Sequence, residues 1–316
     1  MPIPQQLFRT LVPIPAPFRK INVEDHSVFV GSCFAEVIGN MFSKSRLNAM
    51  FCPLGETYSP ASIALALDTR KVSGTAESLT GWHTWLTDTS MVRETEEECL
   101  RVAQEAVDDL QEALLKADHL FLTFGTNHVY RLAETGQIVA NCHKHRRTEF
   151  NEEVWDAELM TETMDGALCR LRERNPNFDV TLTVSPYRYS MYGFHESNLA
   201  KAHLLLTAEA LQKRHPDWIQ YFPAYEIVKD ELRDYRFYAD DMLHPSVQTM
   251  RYIMGKMREW MDADLLKYLE RWGRVERSLQ HRPLLPMTIA HQRFAEQTRQ
   301  ELERLQQDYP MLQIVR

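Results

Sequence analysis

The chain has 316 residues, 44% of them hydrophobic and 25% charged, with 36 basic side chains against 44 acidic ones and a net charge of −8. That is enough apolar material for one extended domain plus additions, and an acidic balance without a long basic stripe argues against a nucleic-acid partner. Five cysteines without paired spacing do not suggest a disulfide framework, and no apolar run is long enough to span a membrane, so a reduced, cytoplasmic protein with no membrane partner is expected.

Residues 1–27 read as an extended, Pro-rich lead-in. "VFVGSCFAEVIG", from Val28, reads as a strand, a hinge at Gly31 and Ser32, and a helix in which Phe34, Val37, Ile38, Met41 and Phe42 recur at helical spacing. This unit is expected to end near Met50, with "FCPLGETYSP" as a loop and a short helix over 61–68. Residues 69–90 show no clear period and read as an insertion or lid. A helix follows over 94–116, with Leu100, Ala103, Val107, Leu110 and Leu114 as its buried stripe. "HLFLTF" has the length and continuity of a buried parallel strand and ends at "GTN". "GQIVANCHKH" reads as a short strand, 151–172 as a helix, and "FDVTLTVSP" as a third buried strand. A helix over 197–213, a strand in "WIQYFPAYEIV", the loop "DDMLHPS" and a helix over 247–261 complete the alternation. "RWGRVERSLQHRPLLP" reads as a linker to a polar helix that carries Phe294, Leu302, Leu305 and Tyr309 on one side, the pattern of an intramolecular docking helix.

Strands alternating with helices predict an α/β protein with a mostly parallel sheet covered on both faces. The expected organisation is a main domain over 1–262 and a helical extension over 263–316. Sites in such sheets form beyond the carboxyl ends of the strands. Ser32, Asn127 and Ser185 each follow a predicted strand and so point to one edge.

A serine at a strand–helix junction suits a nucleophile: the turn exposes the side chain, and the helix N-terminus favours a developing oxyanion. The plainer role for such a serine is a helix N-cap. A serine nucleophile needs a base. Asp241 and His244, three apart in one loop, supply a carboxylate that orients an imidazole; the plainer reading is a surface loop with a capping Asp. Asn127 offers a side-chain amide to an oxyanion, or serves as a turn residue.

Together, Gly31-Ser32, "GTN" and DxxH resemble the SGNH (GDSL-like) hydrolase superfamily, and "GSCFA" at 31–35 resembles the namesake of its GSCFA-domain branch. "PLGETYSP", "FGTNHVY", "ANCHK", "TVSPYR" and "DDMLHPS" extend the resemblance over residues 20–262. It implies a three-layer α/β/α sandwich with a flavodoxin-like sheet. It further implies Ser32 as nucleophile, Asp241 and His244 as its triad partners, and an oxyanion hole from the N–H groups of Ser32 and Gly55 and the Asn127 amide. The implied activity is a serine esterase or deacylase on a small-molecule or O-acylated carbohydrate ester, with no cofactor. An acyltransferase on the same site and a non-catalytic binding module on the same fold are the alternatives. The sequence departs from the GDSL form in having Cys33 after the serine, and carries "TGWHTWL" where the branch has a differently spaced Trp and His motif.

Other residues invite roles. Cys33 is an alternative nucleophile, but one step into the helix its side chain is expected to turn toward the sheet. Cys142, His143 and His145 resemble a metal cluster, which underlies a metal-hydrolase alternative; the preferred reading places no metal and has His143 lining the pocket. Trp82, His83 and Trp85 are candidates for an aromatic wall, and Arg188 for a contact to a polar substrate.

Overall fold

The computed structural model describes residues 9–283 and 288–314. The first eight residues of the expected lead-in, and residues 284–286 of the expected linker, lie outside them. In chain order the elements are β1 (Ser27–Gly31), α1 (Cys33–Lys44), β2 (Ala49–Phe51), α2 (Pro60–Asp68), β3 (Ala76–Ser78), β4 (Gly81–His83), α3 (Glu96–Lys116), β5 (His119–Phe124), β6 (His128–Leu132), β7 (Ile138–Val139), β8 (Phe150–Val154), α4 (Ala157–Arg174), β9 (Asp179–Val184), α5 (Phe194–Arg214), β10 (Ile219–Tyr221), α6 (Ala224–Glu226), α7 (Val247–Met257), α8 (Ala263–Leu279) and α9 (Ile289–Asp308).

The central sheet is parallel, in the order β10-β9-β5-β1-β2, the flavodoxin-like winding that the family resemblance implies. Side-chain alternation along β1 divides the core. Val28 and Val30 pack with α2, α3, α4 and α5 through Ile63, Leu110, Met164 and Leu204. Phe29 faces the other way, stacks on Phe121 at 4.6 Å, and meets α1, α7 and α8 through Phe42, Ile253 and Tyr268. These are the two outer layers of an α/β/α sandwich.

Four local expectations change. The β2 strand extends the sheet through Met50 and Phe51, beside Val28 and Phe29; three residues are too few for a period to show. Residues 76–83 form the β3–β4 hairpin rather than an irregular insertion. The helix expected from 151 begins at Ala157, because Phe150–Val154 pairs with β6 and the Asp156 side chain caps the helix by accepting the Leu159 N–H. The expected linker is helical as far as Leu279, since Trp272 and Val275 prolong the buried stripe of Leu265 and Tyr268. The C-terminal helix docks within the chain as expected: Leu305, Tyr309 and Leu312 are buried against Tyr268 and Trp272, and Arg271 pairs with Glu301 and Asp308.

The turn from β1 into α1 depends on Gly31. Its φ is +142°, and a Cβ there would lie 2.4 Å from the Thr123 carbonyl oxygen on the neighbouring strand. Both backbone strain and a backbone clash oppose any side chain. Gly31→Ala is therefore expected to cost about 3 kcal/mol, read as a lowered urea midpoint.

Candidate active site

The carboxyl ends of β1, β5 and β9 lie side by side, with Gly31 in register with Thr123 and Thr123 with Thr183. Ser32, Gly125-Thr126-Asn127 and Ser185 therefore share one edge, as the sequence implied. The loop after β2 binds these turns together. The Gly31 carbonyl accepts the Thr57 N–H at 2.9 Å, and the Tyr58 carbonyl accepts those of Gly125 and Thr126 at 2.8 and 3.0 Å. From behind, the buried Lys201 ammonium on α5 donates to the Gly125 carbonyl at 2.6 Å.

Beyond this edge, under the small antiparallel sheet β7-β6-β8, lies a cavity of about 1010 Å³. Cys33, Glu56, Tyr58, Thr126, Tyr187, Tyr189 and His244 line its base. His128, Tyr130 and Glu152 form a wall, with His128 stacked on Tyr192 at 3.6 Å and bonded to Glu152 at 2.7 Å.

Asp241 and His244 are joined as the DxxH spacing suggests. The Asp241 Oδ2 meets His244 Nδ1 at 2.5 Å, while Oδ1 accepts the N–H groups of Leu243 and His244 at 2.9 Å each. The imidazole hydrogen bond, followed by the two N–H bonds, holds the Asp241 carboxyl down at about 2. The loop is fixed to the fold because Ala239 N–H donates to the His244 carbonyl and Arg188 N–H to that of Leu243. The helix that follows begins at Val247, as expected, with Ser246 as its cap.

Ser32 occupies the N-cap of α1, yet its side chain makes no capping bond. It is 1% exposed, and its Oγ has no partner among the described residues, so no hydrogen bond joins it to His244. Two implied oxyanion donors are already engaged: the Ser32 N–H leans on the Thr123 carbonyl at 3.4 Å, and the Gly55 N–H donates to Cys52 at 3.0 Å. The first partner comes from the neighbouring strand β5 and the second from three residues back in the same loop. Gly55 instead lets Asp88 approach, since its φ is +90° and a Cβ would overlap that carboxylate. The Asn127 amide is buried and donates one N–H to the Trp155 carbonyl at 2.8 Å, which sets its orientation and leaves the second. At the first helical position, the Cys33 N–H has no carbonyl within its helix.

Contrary to expectation, the Cys33 side chain turns to the cavity rather than the sheet. Burial, with Glu56 nearby, pushes its thiol up to about 11. At about pH 7.5 it is expected to resist iodoacetamide, with alkylation rising about tenfold per pH unit until the thiol titrates, as peptide mass spectrometry would show.

The pocket-wall calls also change. His143 does not line the cavity. It is 1% exposed, stacks on His83 at 3.9 Å, and its Nε2 meets the Thr84 carbonyl at 3.0 Å. His83 is fully buried with neither ring nitrogen bonded, and burial next to His143 lowers it to about 4. Trp82 is held in β4 opposite Glu77 and bridges to Arg93, away from the cavity lining. Cys142 and His145, beside His143, do line it. Among the described residues the three-ligand convergence lies elsewhere, at Asp165, Cys169 and His215, where Arg214 already pairs with Asp165. Arg188 borders a second, smaller cavity together with Lys201.

Sequence reading missed Glu56, Tyr58, His128, Tyr187, Tyr189 and Lys201. All but Lys201 lie inside stretches already singled out, "PLGETYSP", "FGTNHVY" and the run after "TVSP". Lys201 carries no local signal, being one lysine on a helix, but burial lowers its ammonium to about 7. Among the described residues no helix is long and apolar enough to cross a membrane.

The GSCFA family matches the chain over residues 27–257, and the GSCFA domain protein, C-terminal domain, over residues 272–314. No curated protein matches it.

Proposed function

The chain belongs to the GSCFA family, and from the chemistry of its large cavity we propose that it is a serine ester hydrolase of the SGNH type. The observation that carries this reading is the Asp241–His244 pair, whose imidazole lines the large cavity together with Cys33, the residue that follows Ser32 at the N-terminus of α1. With Nδ1 bonded to the carboxylate, His244 Nε2 is the position that takes a proton.

In this mechanism the Ser32 Oγ attacks the ester carbonyl as His244 Nε2 removes its proton. The oxyanion is met by the Cys33 N–H and the second N–H of Asn127. The alcohol leaves with the proton from His244, and water, activated by the same imidazole, releases the acid and restores Ser32. In apo enzymes the nucleophile–base contact is often long and tightens with substrate, which fits an Oγ with no other partner. The wall of His128, Tyr130 and Glu152 suits a polar acyl ester such as an O-acylated carbohydrate. A second reading, acyl transfer to a hydroxyl on the same site, draws on the cavity's volume, which leaves room for an acceptor as well as an acyl donor.

A fluorophosphonate probe tests the proposal. One label per chain at Ser32, absent from Ser32→Ala, is expected. No labelling of the folded chain would leave a binding module on this fold as the better account.

A further inference from the structure

Behind Tyr187 lies a cavity of about 60 Å³ lined by Arg188, Lys201, Ser197 and Asn198 among others. It has room for a few waters or one small oxyanion. Two cations border it and no carboxylate does. Lys201 is 3% exposed, its Nζ donates only to the Gly125 carbonyl, and the Tyr189 ring lies 5.1 Å away. The Arg188 guanidinium is surrounded by Phe194, Tyr235 and Tyr238, at 4.4, 5.5 and 5.6 Å from the ring centroids. Among the described residues neither cation forms an ion pair, and the guanidinium donates to no protein acceptor.

A buried ammonium without a counter-charge is costly, and a guanidinium packed among rings keeps its planar fork available for a carboxylate. Ser197 and Asn198 bring the first turns of α5 to the same space, where the helix dipole favours negative charge. Tyr187 belongs to both cavities, and its ring lies 4.3 Å from that of His244.

We propose that this cavity is an oxyanion subsite that receives a carboxylate carried by the substrate, held by Arg188 and Lys201. The assignment of its occupant rests on the esterase reading. The natural substrate is then an acyl ester with a negative charge on the Tyr187 side of the reacting carbonyl.

Two titrations on the full chain test it without relying on turnover. Formate is expected to bind saturably, and Arg188→Gln to weaken it by roughly tenfold or more, with Arg188→Lys intermediate because it keeps the charge but loses the fork. No saturable binding, equal binding in Arg188→Gln, or tighter binding of inorganic phosphate than of formate overturns the carboxylate subsite. In a Ser32→Ala background, monomethyl succinate is expected to bind roughly tenfold or more tightly than neutral dimethyl succinate, and Arg188→Gln to abolish the difference. Equal affinity for the two esters overturns the substrate assignment. Failure of the esterase reading has a separate signature, an absence of fluorophosphonate labelling while both titrations succeed. Lys201→Met adds a second variant wherever circular dichroism shows it folded; the Arg188 variants decide the matter alone if it is not.

Discussion

Ser32→Ala is expected to lower ester turnover by roughly 10³-fold or more, because members of a nucleophile–base unit act together and the remainder comes from binding and the oxyanion donors. Its effect on stability should be small. An N-cap serine ordinarily contributes about 1 kcal/mol through its side chain, but Ser32 makes no capping bond, and its Oγ has no partner to lose. That combination separates the catalytic role from the capping role: a cap would be lost in stability and spared in rate. Cys33→Ala provides the control, since its thiol also reaches the cavity but stays protonated at neutral pH. Turnover and thermal midpoint should be measured on both variants. Normal turnover in folded Ser32→Ala, with a dead Cys33→Ala, would move the nucleophile by one residue.

Asp241→Asn should reduce turnover by about 10² to 10⁴, the upper end being the loss when a triad carboxylate is replaced and the imidazole adopts the wrong tautomer. The carboxylate meets the ring with one oxygen and two backbone N–H groups with the other. An asparagine preserves much of that shape but no longer stabilises the imidazolium. Because the Asp241 carboxyl is held at about 2, it stays ionised over any working pH, and the acid limb of the rate profile belongs to another group. Asp240, exposed and next in line, makes no bond to the imidazole, so Asp240→Asn should remain within a few-fold of wild type. Equal losses in the two variants, after matched circular dichroism, would remove Asp241 from the proposed unit.

The parts of this site that were legible in the sequence are local. "HLFLTF" and "DVTLTV" are continuous apolar runs because both faces of a parallel strand are covered, and they became β5 and β9. The junction at Gly31 and Ser32 was readable because apolar period changes there from a strand's to a helix's. The Asp241–His244 contact was readable because three residues in a turn return a carboxylate to an imidazole. What went unread was short or non-local. The strands β2, β6 and β8 lie in small or edge pairings where few residues alternate, and the length of α8 depended on which side of Trp272 found a core.

By itself the sequence determined the α/β class with its mostly parallel sheet, the edge that Ser32 and Asn127 share, and the pairing of Asp241 with His244. Each follows from periodicity or from spacing within a few residues, and local backbone geometry converts these directly into position. Only the tertiary structure decided that the Ser32 N–H is engaged there, because Thr123 on the neighbouring strand supplies the carbonyl that accepts it. It also decided that Cys33 faces the cavity, that His83 and His143 stack away from its lining, and that Lys201 and Arg188 border one small space without a carboxylate. Those outcomes depend on which distant segment arrives at a given atom, and hydrogen-bond availability and burial are set by that arrival rather than by the residue's own neighbours in the chain.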